Sequence, residues 1–148
     1  MLVISASEKY REDIVQLLED NDLPWQDLPA SLEDFYLATE QDKLVAVIGT
    51  ERYGLYALLR SLVVHPGFRK LHVAEKLVNM LEERAIASGI EAIFLLTETA
   101  EKYFAKKAYQ VISREEVPDE IRSSSEFSHV CAVTAVVMKK SLAKKNQP

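Results

Sequence analysis

A strand that breaks at a Pro-Gly turn and leads into a long helix most constrains how this chain can fold. Strand-forming residues run from Leu58 to Val64, His65-Pro66-Gly67 follows, and the basic pair Arg69-Lys70 precedes a helix that we expect to continue to about Ser88. The first turn of a helix presents backbone N–H groups and the positive end of the helix dipole to an anion. The segment is therefore a candidate site for a phosphate or pyrophosphate. An ordinary strand–turn–helix with surface cations fits the same residues.

Composition excludes several classes of function. The net charge of −5 argues against nucleic acid as the main partner. No apolar run approaches the roughly 18 residues that a membrane span requires, so we expect no membrane partner. The lone Cys131 cannot form an internal disulfide, and Met1 to Ser7 lack a signal-peptide layout, which together predict a cytoplasmic protein. The three scattered histidines predict no metal site.

Hydrophobic periodicity predicts alternating strands and helices. We expect residues 1–142 to form a single domain and residues 143–148 a flexible tail. Helices are expected after a cap at Ser7, after Lys70, and after a cap at Thr97 or Thr99. The predicted strands are Leu2–Ile4, Phe35–Thr39, Leu44–Ile48, Leu55–Val64, Ile93–Leu96, Tyr109–Ile112 and Ala132–Met138. Phe35–Thr39 and Leu44–Ile48 are expected to form a hairpin, Ile93–Leu96 a buried strand, and the helix after Lys70 an apolar stripe.

Two motifs in this element order carry a family resemblance. The first is Val64-His65-Pro66 followed by a loop in which Arg69 and Ala74 hold the outer positions of (Gln/Arg)-x-x-Gly-x-(Gly/Ala), with His72 in place of the inner glycine. The second resembles Ala-x-x-(Leu/Phe)-Tyr-x-x-x-Gly-Phe, and its places are taken by Ala100, Tyr103, Phe104, Ala108 and Tyr109. In both motifs and in the order of elements the chain resembles the GCN5-related N-acetyltransferases (GNAT), over essentially its whole length.

The resemblance implies a fold on the border of the α+β and α/β classes. A central mixed, mostly antiparallel sheet would be flanked by helices, with strands that splay apart at the coenzyme site. It also implies acetyl-CoA as co-substrate and no metal. The residues implied to bind the coenzyme are Leu62, Val63, Val64, Arg69, Lys70, Leu71, His72, Val73, Ala74 and Phe104. The backbone at Leu62 would bind the thioester oxygen, which makes Leu62 a candidate catalytic residue.

Two of these positions depart from the family pattern. His72 either crowds the phosphate with its Cβ, contacts a phosphate through its imidazole, or points to solvent. Phe104 lacks the tyrosine hydroxyl that the family often uses to protonate the leaving thiolate; a thiol with a pKa near ~8.5 is a fair leaving group unaided.

Glu51 is the candidate base for the incoming amine, and a solvated carboxylate at a strand end is the alternative.

Arg60 is the main sequence signal for the substrate. It lies among apolar residues on the coenzyme strand, and its planar guanidinium matches a carboxylate or phosphinate group. Because side chains alternate along a strand, we expect Arg60 to share a face with Leu62 and Val64. Ser61 is a second candidate substrate-binding residue. An ion pair on the sheet surface is the alternative.

The neighbouring residues refine the resemblance. Leu59-Arg60-Ser61-Leu62-x-Val64 is similar to N-acetylglutamate synthase-type and to arsenic-resistance N-acetyltransferases. Ile121-Arg122, Glu126-Phe127-Ser128, Cys131 and residues 135–138 are closer to the arsenic-resistance group, although Ala132 replaces its usual proline. Those enzymes acetylate arsinothricin, a glutamate-like amino acid.

The sequence thus predicts an acetyl-CoA-dependent N-acetyltransferase that acts on the amine of a small acidic amino acid or analogue. Direct attack of the amine on the thioester is expected, because no activated nucleophile is visible. The expected partner is a small-molecule amine, and the protein is expected to be a monomer or a homodimer. Two alternatives remain open: an N-acetylglutamate synthase-type enzyme, and a non-catalytic acyl-CoA-binding sensor, which the residues at positions 72 and 104 suggest.

Overall fold

The computed structural model describes residues 1–124 and 135–142. The strands are β1 Leu2–Ser5, β2 Phe35–Glu40, β3 Lys43–Tyr53, β4 Tyr56–Val64, β5 Ala92–Thr97, β6 Gln110–Ile112 and β7 Val136–Ser141. The helices are α1 Arg11–Asp20, α2 Val73–Ala87, α3 Glu101–Lys106 and α4 Asp119–Arg122. The strands form one mixed sheet in the order β1-β2-β3-β4-β5-β7-β6, which confirms the predicted fold class.

The chain divides into two compact units. The first comprises Met1–Thr50 and Ser61–Arg84, and the second comprises Glu51–Arg60 and Ala85–Pro148. Among the described residues, no helix combines the length and the apolar character needed to cross a bilayer.

In the first unit, β1 and β2 pair antiparallel, and β2 and β3 form the predicted hairpin. Gln41 and Asp42 at its tip have φ values of 52° and 63°, as a tight two-residue hairpin turn requires. The apolar stripe of α1 packs on the sheet in one core cluster, formed by Tyr10, Ile14, Leu17, Leu18, Leu32, Phe35, Leu37, Val47 and Val63. Gly49 is needed beside this cluster, because an added Cβ would lie 2.4 Å from the ring of Phe35.

In the second unit, β5 pairs parallel with the start of β4 and antiparallel with β7, and β6 pairs antiparallel with β7. Four consecutive residues of β5, Ala92 to Leu95, are buried, as predicted for a strand covered on both faces. The core cluster of this unit consists of Leu58, Ala92, Phe94, Val117, Ile121 and Val137.

Local details differ from the sequence predictions. Ser7 precedes a short 3-10 segment, Glu8–Tyr10, and its side chain makes no capping hydrogen bond. Thr97 does accept a hydrogen bond from the backbone of Ala100 at 2.9 Å, just before α3. The predictions on Glu126-Phe127-Ser128, Cys131, Ala132 and the tail at 143–148 lie outside the described residues.

Candidate functional site

Strand β4 carries a backbone irregularity that the sequence did not reveal. Ser61, in the middle of the strand, has a φ of 61°, which is the left-handed region that a non-glycine residue rarely adopts. Leu58, Leu59 and Arg60, which precede it, are buried in succession, as in a strand covered on both faces. Alternation assumes a regular extended backbone, and Ser61 departs from one between Arg60 and Leu62, so the shared face of Arg60, Leu62 and Val64 stays a prediction.

The end of β4 is held by hydrogen bonds within the first unit. The backbone N–H of His65 donates to the carbonyl of Val45 at 2.7 Å. Nε of Arg69 donates to the carbonyl of Val64 at 3.1 Å, and its Nη2 donates to Oδ1 of Asn21 at 2.9 Å. Arg69 was predicted as a charge for the phosphate, and the structure gives it two partners in the protein. It links the last carbonyl of β4 to Asn21, the residue that follows α1.

The loop after β4 is a 3-10 segment, Pro66–Leu71, rather than the direct start of a helix. His72 then adopts φ 57° and ψ 28°, the left-handed conformation, and α2 begins at Val73. This conformation explains why the family places glycine here, since glycine adopts it without steric cost. The predicted coenzyme residues Lys70 and Leu71 belong to the 3-10 segment.

The side chain of His72 projects outward from this turn. It is 82% exposed, and its Nδ1 lies 3.6 Å from Oε2 of Glu75. The first helical hydrogen bond of α2 runs from the N–H of Lys76 to the carbonyl of His72. The backbone N–H groups of Val73 and Ala74 therefore precede the helical ladder, which is the arrangement an anion site needs.

The second unit brings Glu51 and Arg60, which were predicted to have separate roles, into direct contact. Nη1 of Arg60 donates to Oε2 of Glu51 at 2.7 Å. The arginine side chain has no exposed surface, whereas that of the glutamate is 20% exposed. The contact is therefore an ion pair. It resembles the alternative role predicted for Arg60, an ion pair on the sheet surface, except that it is buried inside the protein.

Tyr53 completes this cluster and was not found from the sequence. Its hydroxyl donates to Oε1 of Glu51 at 2.6 Å. Burial raises the pKa of Tyr53, and the hydrogen bond to Glu51 raises it further, while a hydrogen bond from Ser124 lowers it slightly. The phenol therefore keeps its proton at neutral pH and acts as a donor. The spacing Glu51-x-Tyr53 on one strand face was the signal available in the sequence.

Phe104 lies in a packed aromatic group of the second unit. It is buried, and its ring meets Tyr103 and Tyr109 edge-on with centroid distances of 5.2 Å and 5.3 Å. Ala108, at the place of the motif's glycine, has a φ of 73°. Within the described ranges, no group of three or more His, Cys, Asp or Glu side chains is arranged to hold a metal ion.

Comparison with known proteins places these features in context. The sequence model described as the acetyltransferase (GNAT) family matches residues 4–111. No curated protein matches the chain significantly.

Solved structures share the fold at low sequence identity. N-acetylglutamate synthase from Neisseria gonorrhoeae, complexed with coenzyme A and N-acetyl-glutamate, superposes with a TM-score of 0.83 and 16% identity over 96% of this chain. The chain spans only 35% of that synthase. Rv2747 from Mycobacterium tuberculosis, in complex with CoA and NLQ, has a TM-score of 0.80 and 18% identity, covering 97% of this chain and 100% of its own. The ribosomal-protein-S18-alanine N-acetyltransferase from Escherichia coli has a TM-score of 0.72 and 13% identity, covering 99% of this chain and 98% of its own.

Proposed function

This chain belongs to the acetyltransferase (GNAT) family, and from that premise we propose that it acetylates the amine of a small amino acid or analogue carrying a further acidic group. The family confirms the prediction of an N-acetyltransferase that uses acetyl-CoA as its co-substrate. The new part of the proposal is that the substrate is acidic. The two candidate substrates are arsinothricin and glutamate.

The observation that carries the proposal is the buried guanidinium of Arg60. Burying an arginine is costly unless its charge is balanced, so its presence on the coenzyme strand, next to Ser61, calls for an acidic partner. Glu51 provides that partner in the structure, and an acid group on the substrate would take the place of one of the present acceptors. Support also comes from the Neisseria gonorrhoeae synthase, which was crystallised with N-acetyl-glutamate, a molecule with two carboxylates.

The coenzyme is assigned to the first unit. The backbone of Leu62, Val63 and Val64 would bind the pantetheine arm, and the N–H groups from Arg69 to Ala74 would receive the pyrophosphate at the start of α2. Phe104, which the resemblance also implies for the coenzyme, is buried in the second unit. These assignments follow from the family pattern and from the conformation of the loop.

In the reaction, Glu51 takes one proton from the substrate ammonium, directly or through a water molecule. The free amine attacks the thioester carbon, and the backbone N–H at Leu62 stabilises the oxygen of the tetrahedral intermediate. The C–S bond then breaks, the nitrogen gives its second proton to water, and the coenzyme leaves as a thiolate. With phenylalanine at position 104, the thiolate is protonated by solvent.

A substrate panel tests the proposal. Thiol release from acetyl-CoA is measured with glutamate, aspartate, glutamate analogues bearing arsinate or phosphinate groups, glutamine and polyamines. We expect kcat/KM to be highest for an acidic amino acid. In Arg60→Met the fall in kcat/KM should correspond to a loss of about 2–4 kcal/mol in transition-state stabilisation, because the acid group loses its bidentate partner. Arg60→Lys should recover only part of this loss. A preference for polyamines would contradict the proposal.

The same panel separates the alternatives. Glutamate as the best acceptor would favour an N-acetylglutamate synthase-type enzyme over an arsinothricin-type one. Tight binding of acetyl-CoA without turnover of any amine would favour a sensor, for which the buried Phe104 without a hydroxyl is the motivating observation.

A further inference from the structure

The carboxylate of Glu51 is held from both sides by residues of the second unit. Tyr53, two residues further along β3, donates its hydroxyl to Oε1 at 2.6 Å. Arg60 donates to Oε2 at 2.7 Å from the adjacent strand. Both contacts are shorter than the usual hydrogen bond to a neutral acceptor, as expected for charge-assisted bonds.

Two donors on opposite oxygens restrict how the carboxylate can rotate. A free glutamate side chain samples several rotamers, and a proton acceptor that does so spends little time in the productive one. Each carboxylate oxygen has two lone pairs, so one on each oxygen is left after these two contacts. Because the Glu51 side chain is 20% exposed, water reaches it. Its orientation is thus fixed while a lone pair on each oxygen stays open to a further hydrogen bond.

We propose that Tyr53 is a positioning residue for acetyl transfer, whose hydroxyl fixes Glu51 in the orientation that receives the proton of the amine. This role rests on the proposed function, in which Glu51 is the proton acceptor. Tyr53 acts through Glu51, and it donates a hydrogen bond without losing its own proton.

The environment of Tyr53 excludes the other obvious role, that of the general acid missing at Phe104. Burial and the neighbouring Glu51 raise the pKa of the Tyr53 phenol far above that of a thiol. Proton transfer from the phenol to a thiolate would therefore be uphill. The buried Ser124, which is hydrogen-bonded to Tyr53, occupies the phenolic oxygen and leaves the hydroxyl hydrogen for Glu51.

A double-mutant cycle tests the role of Tyr53. The wild type is compared with Tyr53→Phe, Glu51→Gln and the double variant, using the best substrate of the panel. We expect Tyr53→Phe to lower kcat about tenfold, the scale of one lost hydrogen bond to a charged group, with the Kd of acetyl-CoA unchanged. In the Glu51→Gln background the same substitution should change kcat less than about twofold, because its effect passes through the carboxylate.

The matched control is Tyr56→Phe, which removes a hydroxyl from β4 while its ring remains packed edge-on against Phe94. It should leave kcat within about twofold of the wild type. Thermal unfolding verifies that each variant is folded.

The outcomes separate the two proposals. Equal losses from Tyr53→Phe in both backgrounds of an active enzyme, or no loss in either, would overturn the role of Tyr53 alone. A folded wild-type protein that acetylates no amine would overturn the proposed function, and the role of Tyr53 with it. A loss of kcat from Tyr53→Phe that occurs only when Glu51 is intact supports both the proposed function and the role of Tyr53.

Discussion

Nη1 of Arg60 lies 2.7 Å from Oε2 of Glu51, with the arginine side chain fully buried and the glutamate side chain 20% exposed. The two charges therefore balance each other inside the second unit, and Tyr53 adds a third hydrogen bond to the same carboxylate. This relationship joins the candidate base and the candidate substrate-binding residue. A change at either one is expected to affect both proton transfer and substrate recognition.

The unequal burial of this pair predicts unequal effects on stability. Glu51→Leu removes the carboxylate from a fully buried guanidinium, and we expect a loss of about 3–5 kcal/mol in the free energy of unfolding. Arg60→Met leaves a glutamate that water can reach, so we expect a smaller loss of about 1–2 kcal/mol. Urea unfolding of both variants and of the double variant measures this. Equal losses of stability in the two single variants would contradict this prediction. So would a double variant that is no more stable than Glu51→Leu.

The contacts of Arg69 predict how it supports the coenzyme. Arg69→Ala removes a charge near the loop and both contacts, and should weaken acetyl-CoA binding by about 1–2 kcal/mol. Asn21→Ala removes one partner of Arg69 and should weaken binding by a smaller amount, about 0.5 kcal/mol. Calorimetry gives both values, with Lys43→Ala as a control that removes a charge at the start of β3. Unchanged affinity in a folded Arg69→Ala variant would refute the coenzyme assignment.

His72 carries a strained backbone conformation that glycine would relieve. We expect His72→Gly to raise the free energy of unfolding by about 0.5–1 kcal/mol, because the left-handed penalty exceeds the entropic cost of glycine. The affinity for acetyl-CoA should stay equal or improve, since the imidazole is 82% exposed and lies near Glu75. A marked fall in affinity, measured by calorimetry, would instead assign the imidazole to a phosphate.

Ala108 offers the same test in the second unit, with a built-in control. With φ at 73°, Ala108→Gly should stabilise the protein by about 0.5–1 kcal/mol. Ala105→Gly, inside α3, should destabilise it by about 0.5–1 kcal/mol, because glycine is a poor helix former. Chemical unfolding of the two variants should therefore show changes of opposite sign. Two losses would mean that position 108 is not strained in solution.

The environment of Tyr53 predicts a dependence of stability on alkaline pH. Its pKa is raised in the folded protein, by burial first and by Glu51 second. Above about pH 10 the unfolded chain releases this proton while the folded protein keeps it, so stability present below pH 10 is lost as the pH rises. Between pH 10 and 11 the wild type should lose about 0.5–1 kcal/mol more than Tyr53→Phe, because solvent screens the partly exposed phenol. Parallel urea-unfolding results for the two proteins at pH 8, 10 and 11 would disprove this.

The sequence alone determined the order of strands and helices, the family and the segment assigned to the coenzyme. These features depend on local patterns. The hairpin from β2 to β3, the buried run in β5 and the apolar stripe of α2 each follow from periodicity within a few turns or strand residues. The spacings between the motif residues Pro66, Arg69 and Phe104 can be read directly from one sequence.

Only the tertiary structure decided which polar groups meet. Arg60 and Glu51 are nine residues apart and Arg69 and Asn21 are 48 apart, and their contacts depend on strand register and packing. The left-handed conformation of Ser61 was likewise decided by the tertiary structure, and no local signal announced it because serine has no preference for that conformation. Side-chain partners are set by where whole elements pack, and periodicity within one element carries no information about its neighbours.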